Sequence, residues 1–394
     1  MIEATDAAVV PVAAACLAWL WLLLARRGFW RARPRIEEQR DPPPASWPMV
    51  VAIVPARDEA ALLEATLGSL LAQNYPGELA IVLVDDHSAD DTAALAQSLA
   101  RAAPRPLEVL HAPPLPAGWS GKLWALACGV RHAGQIAPEA GYVLLTDADI
   151  LHAPDNLARL VARAEAGRLD LVSLMVLLHC ASFWERLLMP PFVFLFRLLY
   201  PFAAVNDPAS STAAAAGGCM LVRARALQDA GGIDAIRGAL IDDVALARAI
   251  KWRPGGGRIW LGLTTATRSL RRYDRLGAIW AMVARTADVQ LRHSLWLLGL
   301  TMLGLALTFI VPPLALLAGL ARGEALLAGT GGLALGSMAL AFWPTLRLYC
   351  LGPAWALTLP LAAVLFGAMT LDSAWRFRRG AGGRWKGRVM TPEI

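Results

Sequence analysis

The stretch MVVAIVPARDEAALLEATLGSLLAQNYPGELAIVLVDDHSADDT (Met49 to Thr92) decides the fold class. Met49 to Val54 is a continuous apolar run rich in valine, which is typical of a buried strand. Asp58 to Leu71 has helical spacing with an acidic start, and Leu79 to Val84 is a second apolar run, which ends in Asp85-Asp86. The stretch therefore predicts a strand, a helix and a second strand in succession.

The same alternation continues after this unit. It predicts a helix over Asp90 to Arg101, a short strand near Leu107 to His111, a helix over Leu123 to His132 and a strand over Tyr142 to Leu145. This order predicts an α/β fold with a mainly parallel sheet and helices on both faces. Ligands of such sheets bind beyond the carboxyl ends of the strands. The sequence has no glycine-rich dinucleotide motif after the first strand, no P-loop and no G-x-S-x-G segment.

Asp147-Ala148-Asp149 closes the apolar run of the last strand, in the segment YVLLTDADI. Residues two apart on a strand point to the same face, so both carboxylates could bind a divalent ion together with a ribose or phosphate. The alternative is an acidic turn after a strand, which is common because aspartate favours turns.

The composition argues against a purely soluble protein, because 57% of the 394 residues are hydrophobic and only 17% are charged. Ala7 to Ala25 carries no charge and is long enough to cross a hydrocarbon core of about 30 Å, so we expect a membrane anchor there. Asp6 precedes this run and arginines follow it, which is unlike a cleaved signal peptide. The positive-inside rule then places the chain after the anchor in the cytoplasm.

Three further apolar stretches are each long enough to span a bilayer: Leu295 to Leu320, Ala325 to Pro344 and Trp355 to Leu371. One helix plus three would put the basic C-terminal tail on the side opposite the segment that follows the anchor, against the positive-inside rule. Two solutions remain open at this stage. Either one stretch is re-entrant or interfacial, for which the Pro312-Pro313 pair and the glycine-rich middle stretch are candidates, or the tail is an exception.

The five cysteines are scattered without metal-ligand spacing, so we interpret them as reduced packing residues. The net charge of +6 is carried by arginines that gather beside hydrophobic segments, without an aromatic-interleaved basic motif. Anionic lipid headgroups are therefore the expected partner rather than nucleic acid.

Six segments in order resemble the motif series of family-2 glycosyltransferases. They are IVPARDEA (Ile53 to Ala60), VLVDDHSADDT (Val82 to Thr92), GWSGKLWAL (Gly118 to Leu126), LLTDADI (Leu144 to Ile150), AAGGCMLVRARAL (Ala215 to Leu227) and LIDDVALARAI (Leu240 to Ile250). With its anchor, its C-terminal apolar stretches and the tail motif WKGR (Trp385 to Arg388), the layout is most similar to hopene-associated glycosyltransferases and their ceramide glucosyltransferase relatives.

The resemblance implies a GT-A fold and a nucleotide-diphosphate sugar donor, with a UDP-sugar expected. Pro55, Arg57 and Glu59 would line the nucleobase and ribose pocket, and Asp86 or Asp85 would accept a hydrogen bond from the uracil ring or ribose. The alternative for the aspartates is an acidic turn with a helix N-cap.

Lys122 would reach the diphosphate as a point charge, and its alternative is a solvated lysine at a helix start. Asp149 would ligate Mg²⁺ or Mn²⁺, with Asp147 sharing the metal or holding the ribose or sugar. Such a metal neutralises charge on the departing nucleotide diphosphate.

Asp242-Asp243 opens a predicted helix, where acidic residues usually serve as caps. In the family pattern the second member of this pair is the general base, so Asp243 would take the proton of the acceptor hydroxyl, with Asp242 as the next candidate. A helix N-terminus is expected to keep that carboxylate ionised at neutral pH.

The Q-x-x-R-W motif of many membrane-bound relatives is degenerate here, since Arg285 in MVARTADVQLRHS is its best match and no tryptophan follows. Arg285 could clamp the diphosphate, or it could meet lipid headgroups beside the membrane. Phe183 to Val205 is apolar but interrupted by prolines and charges. We expect an interfacial helix that lines the entrance for a lipid acceptor, and the alternative is a core segment.

The expected organisation is an anchor at 1–27, a basic and proline-rich linker at 28–48, and a catalytic GT-A domain at 49–292 with the interfacial segment 183–205. A transmembrane region at 293–374 and a basic tail at 375–394 follow. The expected function is inverting transfer of a sugar to a lipid hydroxyl, such as a hopanoid or ceramide-like acceptor, at the cytoplasmic face of the inner membrane. Two alternatives are a processive polysaccharide synthase and a membrane scaffold that has lost turnover.

Overall fold

The computed structural model describes residues 2–380, 384–385 and 388–389, with side chains described for residues 10–380. The WKGR motif and the basic tail lie partly outside the described residues. The chain forms two compact units. A helical unit contains residues 2–32, 180–203 and 272–380, and an α/β unit contains residues 33–179 and 204–271.

The strands and helices follow one another in the order that the sequence pattern predicts for its first half. The strands are β1 (Val50–Ala56), β2 (Leu79–Asp85), β3 (Leu107–His111), β4 (Tyr142–Thr146), β5 (Ile150–Leu151), β6 (Leu171–Leu177), β7 (Cys219–Arg223), β8 (Ile259–Ser269), β9 (Arg384–Trp385) and β10 (Arg388–Val389). The helices are α1 (Ile2–Leu24), α2 (Ala60–Leu71), α3 (Thr92–Ala102), α4 (Gly121–Ile136), α5 (Asn156–Gly167), α6 (Phe183–Leu199), α7 (Phe202–Val205), α8 (Ala224–Asp229), α9 (Asp242–Lys251), α10 (Leu276–Ala284), α11 (Ala287–Gln290), α12 (Leu295–Leu305), α13 (Val311–Arg322), α14 (Ala325–Leu348) and α15 (Leu359–Arg378).

The α/β unit is built on an eight-stranded sheet with the order β3-β2-β1-β4-β7-β6-β8-β5. Strands β1, β2, β3 and β4 are parallel neighbours, as predicted. The prediction of a mainly parallel sheet is wrong for the other half, because β7 runs antiparallel to both β4 and β6, and β5 runs antiparallel to β8. The sheet is therefore mixed, and the amino end of β7 lies beside the carboxyl end of β4, with Cys219 opposite Thr146.

Residues 33–48 belong to the α/β unit and contact it at several points. The Leu263 N–H donates to the Pro34 carbonyl at 2.8 Å, and Glu37 accepts from the hydroxyl of the next residue in β8, Thr264. Asp41 pairs with Arg163 at 2.9 Å. These contacts fix the segment against β8 and α5.

The helical unit has three helical segments that are long and apolar enough to cross a membrane: Leu295–Arg322, Ala325–Leu348 and Pro353–Arg378. The apolar part of α1, Val10–Leu24, is shorter. Pro312 and Pro313 do not interrupt the first segment, because a π-helical turn at Ala306–Ile310 lies just before them and joins α12 to α13.

Helix α6 is a packed element of the helical unit. It begins with a capping box in which Ser182 accepts from the Glu185 N–H and the Glu185 side chain accepts from the Ser182 N–H. Phe194, in the middle of the segment that we expected to be an interfacial helix, is fully buried against Phe29 and Phe342. Phe183 at the start of the helix is 60% exposed.

Candidate active site

The expected site residues of the α/β unit follow three strands that are parallel neighbours. Arg57 and Glu59 come after β1, Asp86 comes after β2, and Asp147 and Asp149 come after β4. Because β1 pairs in parallel with both β2 and β4, these three strand ends meet at one edge of the sheet.

Lys122 connects two carboxylates that are distant in sequence. Its ammonium lies 2.8 Å from Asp147 Oδ1 and 3.0 Å from Asp242 Oδ2. The lysine stands in the first turn of α4, whose N-terminus is capped by Ser120, while Asp242 is the first residue of α9. Burial lowers the pKa of Lys122, but the two carboxylates outweigh burial and raise that pKa above its ordinary value. The lysine is therefore a fixed positive charge at the end of β4.

Asp243 lies beside this group, and both of its oxygens accept backbone hydrogen bonds. Oδ2 accepts from the Gly217 N–H at 2.9 Å, and Oδ1 accepts from the Val244 N–H at 2.8 Å. Burial, and next the charge of Asp242, raise the pKa of Asp243 to about 7, against the opposing effects of Lys122 and the two N–H groups. Burial and the charge of Asp242 therefore oppose the ionisation that a helix N-terminus favours.

Gly217 brings backbone close to both charged groups. A Cβ placed on this glycine would lie 3.4 Å from Asp243 Oδ2 and 3.4 Å from Lys122 Nζ. The antiparallel direction of β7 puts this residue next to β4, where the Asp147 N–H donates to the Gly218 carbonyl at 3.4 Å. The sequence analysis did not expect this connection, because it did not predict β7.

Asp149 is held by β8 and by the loop that follows it. Its Oδ2 accepts from the Ser269 hydroxyl at 3.0 Å and from Arg271 Nε at 3.1 Å. The same guanidinium also pairs with Glu59 through Nη2. Arg271 thus joins the loops after β1, β4 and β8, and sequence analysis missed it, although the basic run RSLRRYDR at 268–275 was a visible signal.

The loops after β1 and β2 are connected through side chains. Arg57 Nη1 donates to the Asp86 carbonyl at 2.8 Å and lies 3.4 Å from Asp86 Oδ2. The Asp58 N–H donates to the Ser88 hydroxyl, which in turn donates to Asp85. Both Asp85 and Asp86 are buried, with exposed fractions of 3% and 1%. Pro55 lies in β1 opposite Val84 of β2, just before these two loops begin.

A buried polar network supports the Asp147 turn from behind. The Thr146 hydroxyl donates to the Gly218 carbonyl at 2.9 Å and lies 3.0 Å from His152 Nε2. Because that hydroxyl has one proton, we infer that His152 carries its proton on Nε2 and that Nδ1 accepts from Asn156 at 3.0 Å. Burial lowers the pKa of His152 to about 4, which keeps the ring neutral. This network was not found from sequence.

The carboxylates of the site outnumber its cations. Two cations, Lys122 and Arg271, stand among five carboxylates: Glu59, Asp147, Asp149, Asp242 and Asp243. Burial raises the pKa of Asp147, Lys122 lowers it, and Asp149 raises it again, with a net rise. An excess of negative charge on oxygen donors fits a hard divalent cation.

Within the described part of the chain, no three or more His, Cys, Asp or Glu residues are arranged around one metal position. One or two carboxylates plus the phosphates of a ligand are a common set for Mg²⁺. The residues present therefore fit a metal that is bound together with a diphosphate.

Arg285 is placed differently from the other expected residues. It follows the last turn of α10 in the helical unit, where its N–H donates to the Ala281 carbonyl at 3.2 Å. The residues that the structure brings together in the α/β unit are Lys122, Asp147, Asp242 and Asp243 in one group, and Glu59 and Asp149 with Arg271 in a second.

Comparisons with known proteins agree with this fold. Residues 51–231 match the glycosyl transferase family 2 model, and they lie in the unit built on the α/β, GT-A-like mixed sheet. The mannosyltransferase PcManGT from Pyrobaculum calidifontis, solved in complex with GDP-Man and Mn²⁺, superposes with a TM-score of 0.56. It is 22% identical, and the alignment covers 94% of this chain and 98% of that chain.

Two more distant structures are also similar. Mannosyl-3-phosphoglycerate synthase from Rubrobacter xylanophilus has 18% identity and a TM-score of 0.41, with 68% of this chain and 83% of that chain covered. TarS 1-349 from S. aureus, in complex with UDP-GlcNAc, has 14% identity and a TM-score of 0.40, with 88% and 97% covered. No curated protein matches the chain in sequence.

Proposed function

We propose that this protein is a membrane-bound, inverting glycosyltransferase that moves a sugar from a nucleotide-diphosphate sugar to a lipid hydroxyl. The observation that carries the proposal is the group formed by Lys122, Asp147, Asp242 and Asp243 at the edge of the sheet where β1, β2 and β4 end. It combines a fixed positive charge for a leaving diphosphate with a carboxylate whose pKa lies near neutrality.

The nucleoside end of the donor would bind in the cleft between the loops after β1 and β2. Asp86 offers a buried carboxylate that could accept the N3–H of a uracil ring, and Arg57 holds that carboxylate in place. A UDP-sugar is therefore our first choice of donor. The likeness to PcManGT, which binds GDP-Man, makes GDP-sugars the next donors to test.

The diphosphate would lie between the two groups of charged residues. Asp149, with Asp147, would hold Mg²⁺ or Mn²⁺, which when bound neutralises charge on the leaving diphosphate. Lys122 would reach the phosphate oxygens from the first turn of α4 as a compact point charge. Together these charges make the nucleoside diphosphate a better leaving group.

Asp243 would act as the general base. Its carboxylate accepts the proton of the acceptor hydroxyl while that oxygen attacks the anomeric carbon and the bond to the diphosphate breaks. The hydrogen bonds from the Gly217 and Val244 N–H groups orient the carboxylate. Because one displacement occurs, an α-linked donor yields a β-linked product.

The proposal of a lipid acceptor is supported by the composition of the helical unit. Three helical segments are long and apolar enough to span a bilayer, and a chain held there would have direct access to lipid substrates. Hopanoid and ceramide-like hydroxyls are the acceptors that the sequence resemblance suggests. An in vitro screen of donors against extracted membrane lipids would identify the pair.

The decisive test is Asp243→Asn in the full chain, assayed for sugar transfer and for donor binding. We expect kcat to fall by about 10²- to 10⁴-fold, the usual effect of losing a general base, with little change in the donor KM. Asp229→Asn, at an exposed carboxylate at the end of α8, is the matched control. Turnover close to the wild type, or retention at the anomeric centre, would reject the mechanism and make Asp242 the next candidate.

A further inference from the structure

The direction in which the apolar helices run can be determined from contacts within the helical unit. The turn just before α12 contacts the last turns of α15. The Asp288 N–H donates to the Ser373 hydroxyl at 3.0 Å, and the rings of His293 and Phe377 lie 4.9 Å apart. Trp280 Nε1 donates to Asp372 at 2.6 Å. The start of α12 and the end of α15 therefore lie at the same end of the unit, which we call the near end.

Helix α14 also finishes at the near end. Helices α13 and α14 form a hairpin in which a Cβ on Gly319 would lie 2.3 Å from the Ala328 N, so α14 starts at the opposite end, the far end. Its 24 residues extend for about 36 Å at 1.5 Å per residue, enough to return across a hydrocarbon core of about 30 Å.

The end of α1 lies at the near end as well. The Arg197 guanidinium donates to the Thr345 hydroxyl at 3.0 Å and to the Phe29 carbonyl, which places the residues after α1 beside the last turns of α14. Towards the far end, Val12 packs in one cluster with Ala315 and Leu327. Helix α1 therefore runs parallel to α14.

Helix α15 lies alongside only the near half of the segment Leu295–Arg322. A Cβ on Gly367 would lie 3.7 Å from both Met302 and Leu305, and Leu359 at its start packs in one cluster with Phe309. Phe309 comes 14 residues after Leu295, which is about half of the 28-residue segment Leu295–Arg322. Because α14 and α15 both finish at the near end, the turn between them returns into the apolar region and α15 does not cross it.

Positive charge is concentrated at the near end. Three arginines stack on tryptophans there, Arg26 on Trp21, Arg31 on Trp30 and Arg379 on Trp375, with distances to the ring centroid of 6.0, 5.5 and 3.8 Å. The far end has Arg322, with Glu324 nearby in sequence. Arginine and tryptophan side chains typically contact lipid headgroups at a membrane interface.

We propose that α1, α12 with α13, and α14 cross the bilayer, while α15 enters and leaves on the cytoplasmic side as a re-entrant helix. The three arginine and tryptophan pairs then contact the anionic headgroups of the cytoplasmic leaflet. This arrangement removes the conflict with the positive-inside rule, because α15 and the chain before α12 share one side. It does not depend on the proposed enzymatic reaction.

Topology reporters on the full chain test the crossings. Two reporters are fused to the C-terminus or inserted between Gly323 and Glu324. Alkaline phosphatase is active only outside the cytoplasm, and green fluorescent protein fluoresces only when it remains in the cytoplasm. We expect fluorescence at the C-terminus and phosphatase activity at the insertion. Phosphatase activity at the C-terminus, or the same side for both positions, would overturn the proposal.

The lipid contact is tested by thermal unfolding in nanodiscs of phosphatidylglycerol and of phosphatidylcholine. We expect a higher Tm in the anionic lipid, and we expect this difference to shrink in the double variant Arg31→Gln with Arg379→Gln. Arg322→Gln, at the far end, is the matched control and should keep the difference. An equal Tm in both lipids for the wild type, or an unchanged difference in the double variant, would contradict the proposed contact.

Discussion

Asp242 and Asp243 are neighbours in sequence but have different environments, and this difference sets a pH dependence. Asp242 pairs with Lys122, whereas Asp243 accepts two backbone hydrogen bonds in a partly buried position. Burial first, and the charge of Asp242 second, raise the pKa of Asp243 to about 7. A base must be ionised to act, so the ionised fraction falls as the pH drops below this value.

We expect kcat to decrease as the pH falls through about 7, and Asp242→Asn to move this acidic limb to lower pH. The reason is that the substitution removes a like charge beside Asp243, while Lys122 stays in place to stabilise the Asp243 carboxylate. Rate profiles from pH 5 to 9 measure the shift. The control Asp229→Asn should leave the limb in place, and an upward shift in Asp242→Asn would contradict the assignment.

Arg271 occupies the position where a cation would otherwise balance Asp149. Its guanidinium bonds both Asp149 and Glu59, so a metal that binds Asp149 must compete with it. We expect Arg271→Gln to bind Mn²⁺ several-fold more tightly in the absence of nucleotide, as measured by calorimetry. Arg272→Gln is the control, because that exposed neighbour pairs with Asp274 at 3.3 Å. An unchanged or weaker affinity in Arg271→Gln would show that the arginine does not compete.

Among the helices, the hairpin of α13 and α14 depends on two glycines that allow the backbones to approach closely. A Cβ on Gly319 would lie 2.3 Å from the Ala328 N, and a Cβ on Gly331 would lie 2.5 Å from the Leu316 N. Gly336, on the same helix as Gly331, has no other atom within 4 Å of its Cβ position. Small residues at such contacts are typical of helices that pack in membranes.

We therefore expect Gly319→Ala and Gly331→Ala to destabilise the protein by about 1–3 kcal/mol, the usual cost of overpacking. Gly336→Ala should be neutral or stabilising, because alanine favours a helix by about 1 kcal/mol over glycine. Thermal unfolding in one detergent compares the three variants. A loss of stability in Gly336→Ala as large as in the other two would show that helix packing is not the cause.

Helix α6 also shows what neighbouring elements decide. Its proline pair, aromatic residues and charges suggested a helix at the membrane surface, and the sequence analysis preferred that interpretation. In the structure Phe194 and Arg197 are both buried within the helical unit, whereas Phe183 and Leu199 at the two ends of the helix are exposed. The composition of the helix could not show this, because the burial of its middle depends on residues of α1 and α14 that pack against it.

Across the whole chain, metal and nucleotide are expected to bind together. The described residues include no group of three or more His, Cys, Asp or Glu side chains around one metal position, and we expect a diphosphate to supply further ligands. We expect UDP with Mn²⁺ to raise Tm by more than the sum of the two separate effects. A ligand at 100 times its Kd stabilises a protein by about 2.7 kcal/mol, which a thermal shift can detect.

The control is Asp149→Asn, which should lose the joint effect but keep a small shift with UDP alone, because a neutral amide is a poorer ligand for a hard cation. Chelation of the metal should reverse the joint effect in the wild type. Additive shifts in the wild type would contradict a shared site.

The local sequence pattern was enough to predict many of the strands and helices of the α/β unit. Strands β1, β2, β3 and β4 and helices α2, α3 and α4 lie where hydrophobic runs and helical spacing predicted them, with small changes at their ends. The three long apolar segments were also predicted from composition. These features depend on neighbours in sequence, so a period of two or of 3.6 residues, or a long apolar run, reveals them.

Tertiary structure decided the features that join distant parts of the chain. Strand β7 is short and antiparallel to its neighbours, and no local sequence pattern predicted that it would bring Gly217 to Asp243. The bonds from Arg271 to Asp149 and Glu59 span more than 120 and 200 residues of sequence. The pKa of Asp243 depends on burial and on Asp242 together, because desolvation of a charge is set by everything packed around it and not by its position in a helix.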